Sequence, residues 1–137
     1  MLTQKYLNEL SYKIIGYAIE VHRELGPGLL ESVYESCLAH LLLLNGHSVK
    51  RQQNVPLVFR GIQLETELRF DLMVDDLIIV ELKSVEALIP IFGAKLLTYM
   101  RLMEKAKGIL INFNCINIFK EGQKTFVNDL YARLPKE

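Results

Sequence analysis

The apolar residues of this chain change period near Asn45-Gly46, and that change limits the folds open to it. From residue 4 to 25 the spacing is three and four. Leu7, Leu10, Ile14, Ala18, Val21 and Leu25 make one stripe, which predicts an amphipathic helix. Gly26-Pro27-Gly28 suits a helix stop and a tight corner. A second helix is expected over about 29–45, striped by Leu30, Val33, Tyr34, Cys37, Leu38, Leu41 and Leu44. Its end, A-H-L-L-L-L, is apolar almost all round, which predicts burial. Beyond Asn45-Gly46 the period is two. Val49, Val55, Leu57 and Phe59 fall on one strand face, and Lys50, Gln52, Asn54 and Arg60 on the other. After Arg60-Gly61, residues 62–74 alternate as one strand with Gln63, Glu65, Glu67, Arg69 and Asp71 on its polar face.

Asp75-Asp76 reads as a turn into a strand over 77–83. A third helix is expected over 90–105, with Phe92, Leu96, Tyr99, Met100 and Met103 inward. Residues 108–113, G-I-L-I-N-F, read as a buried central strand. A last hairpin of 116–120 with 124–127 and a short helix near 128–134 complete the expectation. Leu134 to Glu137 read as a loose tail. Hairpin strands followed by a crossover helix and a further strand imply an α/β fold of the α+β kind, a mixed sheet with helices packed on it. The 137 residues suit a single domain over 1–137.

Sixteen basic and sixteen acidic residues cancel, so there is no global basic footprint of a non-specific DNA binder. Cys37 and Cys115 lie far apart, which argues against a disulfide framework or a thiolate zinc site. His22, His40 and His47 lack metal-ligand spacing. No signal-peptide pattern opens the chain and no apolar run is long enough to span a membrane, so a cytoplasmic protein without membrane contact is expected.

The chemistry concentrates in F-D-L-M-V-D-D-L-I-I-V-E-L-K, residues 70–83. Glu81 and Lys83 share one face of an otherwise apolar strand. Alone they read as an ordinary ion pair or a strand end at solvent. Asp71, ten residues before Glu81, adds a second carboxylate. A strict two-residue turn at Asp75-Asp76 would put Asp71 and Glu81 on opposite faces. A three-residue loop or one bulge would put them on the same face. Two carboxylates suit a hard cation such as Mg²⁺ or Mn²⁺, and a nearby lysine suits a phosphate or an attacking water.

Asp71 followed by Glu81-Leu82-Lys83 resembles the D…E-x-K signature of the PD-(D/E)XK nuclease superfamily, and α-β-β-β-α-β over about 29–113 resembles its restriction-endonuclease-like core, here with an extra N-terminal helix. Gly28 to Tyr34, G-L-L-E-S-V-Y, also resembles the pattern of the GxxExxY family. The resemblance implies a Mg²⁺- or Mn²⁺-dependent phosphodiesterase acting on nucleic acid. It implies Asp71, Glu81 and the Leu82 backbone carbonyl as metal ligands and Lys83 as the water-activating or charge-stabilising lysine. Glu31 would be the helix carboxylate reaching the metal, and Glu35, one turn on, the reserve candidate. Glu31 at a helix N-terminus is also simply favourable with the helix dipole. Relatives tend to carry H-E-A-Q at the next helix. Here Phe92-Gly93-Ala94-Lys95 stand instead, with Lys95 as a candidate phosphate contact. Arg69 is a second candidate, or the partner of Glu65 or Glu67. The other reading is a non-catalytic nucleic-acid- or protein-binding module on the same fold. A homodimer or higher homo-oligomer is compatible with both.

Overall fold

The computed structural model describes all 137 residues. Helix α1 spans Gln4–Leu25. Thr3 caps it by accepting the Tyr6 N–H on Oγ1, which satisfies one of the orphan donors at a helix start. Its buried stripe is Leu7, Leu10, Ile14, Ala18 and Val21, and Gly26 ends it at φ 74°, a left-handed backbone that glycine adopts without strain. Helix α2 spans Glu31–Leu44. Its inward face is rotated from the expected stripe: Tyr34, Glu35, Leu38, Ala39 and Leu42 are buried, whereas Leu30, Leu43 and Leu44 are exposed. The apolar end is therefore not enclosed. Tyr34 explains the rotation. Its ring stacks on Phe113 at 4.3 Å, and its hydroxyl donates to the Gly26 carbonyl while accepting the Leu29 N–H.

Seven strands follow: β1 (Val49–Asn54), β2 (Leu57–Phe59), β3 (Ile62–Leu64), β4 (Arg69–Val74), β5 (Ile78–Lys83), β6 (Lys107–Asn112) and β7 (Gln123–Val127). Five of them form one mixed sheet in the order β1-β4-β5-β6-β7. Only β5 and β6 run parallel, and helix α3 (Pro90–Leu102) makes the crossover that parallel strands require. Helices α1 and α2 cover one face through Leu72, Val74, Val80, Leu82, Ile109 and Ile111. Helix α3 covers the other through Met73, Ile79 and Leu110. Strand β5 lies third of five and is buried except at Lys83. This is the α/β architecture expected, with the α-β-β-β-α-β order carried by α2, β1, β4, β5, α3 and β6. No helix is long and apolar enough to cross a membrane.

Three further expectations are corrected. Residues 62–74 are two strands, not one. Pro56 has no N–H to continue the ladder after the Val55–Leu68 link, and the Thr66 hydroxyl takes the Leu68 N–H, so β2 and β3 leave as a separate hairpin. Residues 118–122 form a π-helical turn, so β7 pairs with β6 and not with them. The Asn117 side chain accepts the Lys120 N–H and Glu121 accepts the Ile116 N–H, which curls the segment locally. The C-terminal tail is tied down: the carbonyls of Pro135 and Lys136 accept the N–H groups of Gln4 and Lys5 in the first turn of α1. A short helix, α4 (Asp129–Ala132), precedes it.

The loop between β4 and β5 decides the site. Val74 pairs with Ile78, Met73 with Ile79 and Leu72 with Val80. The connection is thus the three residues Asp75, Asp76 and Leu77, the odd loop that convergence of the carboxylates requires. Asp75 and Asp76 both adopt left-handed backbones, at φ 52° and 57°. Asp75 is anchored by the Ser48 N–H and by His47 Nδ1. Asp76 meets Lys50 and Lys105.

Candidate active site

The same register continued by one step sets Asp71 opposite Glu81. Alternation puts Glu81 on the face of Ile79, the side covered by α3, whereas β4 breaks its alternation at Asp71, since Phe70 and Met73 both pack on that side and Leu72 and Val74 on the other. Backbone pairing stops at Leu72–Val80, and the two carboxylates take its place. Asp71 N–H donates to Glu81 Oε1 at 3.2 Å, and Leu82 N–H donates to Asp71 Oδ2 at 2.8 Å. N–H and C=O of one strand residue point to the same edge, so the Leu82 carbonyl also faces the gap beside Asp71.

Glu81 is 5 % exposed. Burial, and after it the negative charge of Asp71, push its carboxyl up to about 8, while the Asp71 N–H and the Lys95 ammonium pull the other way. At neutral pH the Glu81 carboxyl is therefore mainly protonated, and a cation beside it would favour the ionised form. The hard oxygen donors of the two carboxylates fit Mg²⁺ or Mn²⁺, and Mg²⁺ is commonly held by one or two carboxylates with water and substrate phosphate completing the shell. No group of three or more His, Cys, Asp or Glu side chains converges to hold a metal. What the strands bring together is a pair of carboxylates with one carbonyl beside it.

Lys83, two residues beyond Glu81 on the same face, is half-buried, and its ammonium sits 4.5 Å from the centre of the Phe92 ring. It forms no ion pair, so its charge is free for an anion. Lys95 on α3 is exposed, lies 5.3 Å from the Tyr99 ring centre and is close enough to act on Glu81. Gly93 has a packing reason: a Cβ there would come within 2.6 Å of the Phe126 ring. Arg69 opens β4, exposed, and pairs with neither Glu65 nor Glu67.

The helix glutamates part company. Glu31 is exposed at the first position of α2 and makes no hydrogen bond with a site residue, although Ser84 ties the Leu29 carbonyl and so brings this helix start to the end of β5. Glu35 is buried. Its Oε2 accepts from Arg51 Nε and Nη2 at 3.1 and 3.0 Å, and its Oε1 accepts from Gln52 Nε2 at 2.6 Å. The same Gln52 nitrogen donates to Asp71 Oδ1 at 3.0 Å. Gln52 and Arg51 are the residues that sequence reasoning left out. Gln52 stands opposite Asp71 in the β1–β4 register, in a left-handed backbone at φ 48°, which costs a non-glycine residue about 1–2 kcal/mol.

A family model, that of the PD-(D/E)XK nuclease superfamily, matches residues 8–126. The chain belongs to this superfamily. No curated protein and no solved structure is similar enough to count as a match. The matched span contains both carboxylates, Lys83, Lys95 and both helix glutamates, and the paired oxygens of Asp71 and Glu81 accord with a superfamily that is typically metal-dependent.

Proposed function

We propose that residues 1–137 act as one metal-dependent nuclease domain that hydrolyses phosphodiester bonds of nucleic acid. The observation that carries this reading is the mutual placement of Asp71 and Glu81, joined through the Asp71 N–H and flanked by the Leu82 N–H. Asp71, Glu81 and the Leu82 carbonyl would hold Mg²⁺ or Mn²⁺. When bound, the cation supplies a Lewis acid for a phosphoryl oxygen and lowers the pKa of its water.

The chain's own residues supply the rest. Lys83, steadied over Phe92, places a positive charge where charge develops on the scissile phosphate. Lys95 offers a second cation on the substrate side, a point charge where relatives tend to carry an amide. Arg69 extends this surface along β4. Within the superfamily, Gly28, Glu31 and Tyr34 support placement in the GxxExxY family, with Tyr34 bracing the corner that precedes α2. The main-chain pairs joining α1 to the C-terminal tail support one folding unit.

The test is incubation of the purified protein with labelled single-stranded, double-stranded and branched DNA and with RNA, in Mn²⁺, Mg²⁺ or chelator. Chelator-sensitive cleavage that disappears in Asp71→Ala is expected. Salt-sensitive binding with no cleavage would instead make the chain a binding module.

A further inference from the structure

We propose that Gln52 is a positioning residue that fixes the Asp71 carboxylate for the cation; the proposal rests on the metal-site reading above. Consecutive residues of a strand point to opposite faces. Arg51 and Gln52 are consecutive in β1, yet both donate to Glu35. The left-handed backbone at Gln52 breaks the alternation and turns its amide to where Glu35 and Asp71 can both be reached.

Chemistry fixes the orientation of that amide. Its two neighbours are carboxylate oxygens, so the NH₂ must face them, and its two hydrogens are divided between Glu35 and Asp71. Glu35 is a rigid anchor, because Arg51 holds its other oxygen from two nitrogens. Asp71 is then held at both oxygens, Oδ1 by Gln52 and Oδ2 by the Leu82 N–H. A carboxylate offers about four lone-pair sites, so this tethering leaves acceptor capacity on each oxygen for a cation. A ligand fixed before binding loses less freedom when the cation arrives.

The backbone alone does not account for a glutamine here. A left-handed residue favours glycine, asparagine or aspartate. Glutamine is long enough to span from β1 to both carboxylates, and that reach gives a reason for the residue.

The test uses the full chain. Mn²⁺ affinity is measured by calorimetry, and thermal melting is measured separately in chelator, for the parent, Gln52→Gly, Gln52→Asn and Asp71→Ala. Glycine relieves the left-handed backbone while removing the amide. Gln52→Gly also leaves the buried Glu35 Oε1 without its donor, so it should melt modestly lower than the parent, and at a temperature where both proteins are fully folded it should bind Mn²⁺ about tenfold more weakly. Gln52→Asn, one methylene short, should lose affinity likewise. Parent-like Mn²⁺ affinity in Gln52→Gly, with affinity lost in Asp71→Ala, overturns the role of Gln52 and leaves the metal site standing. A lowered melt in Gln52→Gly that accounts for its weaker binding makes the residue merely structural and also overturns the proposal. No Mn²⁺ binding by the parent, or binding indifferent to Asp71→Ala, removes the site reading and this proposal together.

Discussion

Asp71 donates its backbone N–H to the Glu81 carboxylate, so the residue that repels Glu81 through its side chain also supports it through its main chain. A pH dependence follows. The Glu81 carboxyl is raised from its ordinary 4.5 to about 8. Between those values the native state holds a proton that the unfolded chain has lost, so stability falls as pH rises. The contribution is intact below about 4.5 and is lost as pH passes through 8. In chelator, melting temperature should therefore decline from pH 5.5 to 8.5 more steeply in the parent than in Glu81→Gln. Mn²⁺ at pH 8.5 should restore the parent and not the variant. Equal slopes for the two proteins would rule out Glu81 as the source.

Asp71→Asn separates repulsion from function. It removes the charge that, after burial, raises the Glu81 carboxyl, and it keeps an oxygen for the Leu82 N–H while turning an NH₂ toward the Gln52 amide. Burial of Glu81 remains, so the variant should lessen the pH dependence without abolishing it, losing less melting temperature than the parent between pH 5.5 and 8.5 in chelator. Mn²⁺ affinity should nevertheless fall at least about a hundredfold, since even outer partners of a metal site cost ten- to a hundredfold. Calorimetry beside the melts reads both effects.

Glu31 and Glu35 answer to different assays. Removing Glu35 takes away the acceptor shared by Arg51 and Gln52, both exposed enough for water to replace it in part, so the cost in urea unfolding should be about 1–2 kcal/mol. Glu31→Ala, at an exposed site, should stay within about 0.5 kcal/mol of the parent. A loss of cleavage in Glu31→Ala without a change in stability would give Glu31 the direct role that its motif implies.

Phe92→Leu tests the seating of Lys83. Loss of the cation–ring contact, worth about 0.5–1 kcal/mol at a partly exposed site, should lower kcat about two- to fivefold with little change in KM. Single-turnover rates on a cleaved substrate check it. An unchanged rate would make the ring a packing residue alone.

The α/β class and the order of its main elements were legible because period and turn chemistry are local properties. The 3.6 period of α1 survives into the structure from Leu7 to Val21, with only Leu25 of the expected stripe exposed, and β5 reads as interior because both its faces are apolar. Asp71, Glu81 and Lys83 stood out as charged groups in apolar strands. What stayed hidden depends on contacts distant in sequence. Glu35 stood only as the reserve to Glu31 until Tyr34, by stacking on Phe113, turned α2 and took Glu35 inward with it. Gln52 could be paired with Asp71 only once the β1–β4 register was known, and Q-Q-N carries no turn signature that would betray a left-handed residue. Gly93 looked like a lost polar group, but its reason is the Phe126 ring from β7.

Tyr34 gives the last prediction. The side chain is fully buried, and its hydroxyl satisfies two backbone groups of the corner before α2: the Gly26 carbonyl at 2.6 Å and the Leu29 N–H at 3.1 Å. Tyr34→Phe keeps the ring stack on Phe113 and leaves both groups without that partner. Each unmet buried group costs about 1–3 kcal/mol, and the corner is open enough for water to recover part of it, so a net loss of about 2 kcal/mol is expected. For a domain of this size that lowers the melting temperature by roughly 4–8 °C. The same corner sets where α2 begins, and α2 carries Glu35, which anchors Gln52 and through it Asp71. Tyr34→Phe should therefore weaken Mn²⁺ binding as well, measured at a temperature where both proteins are fully folded. A stability loss with unchanged Mn²⁺ affinity would show that the corner holds the helix in place without tuning the carboxylates.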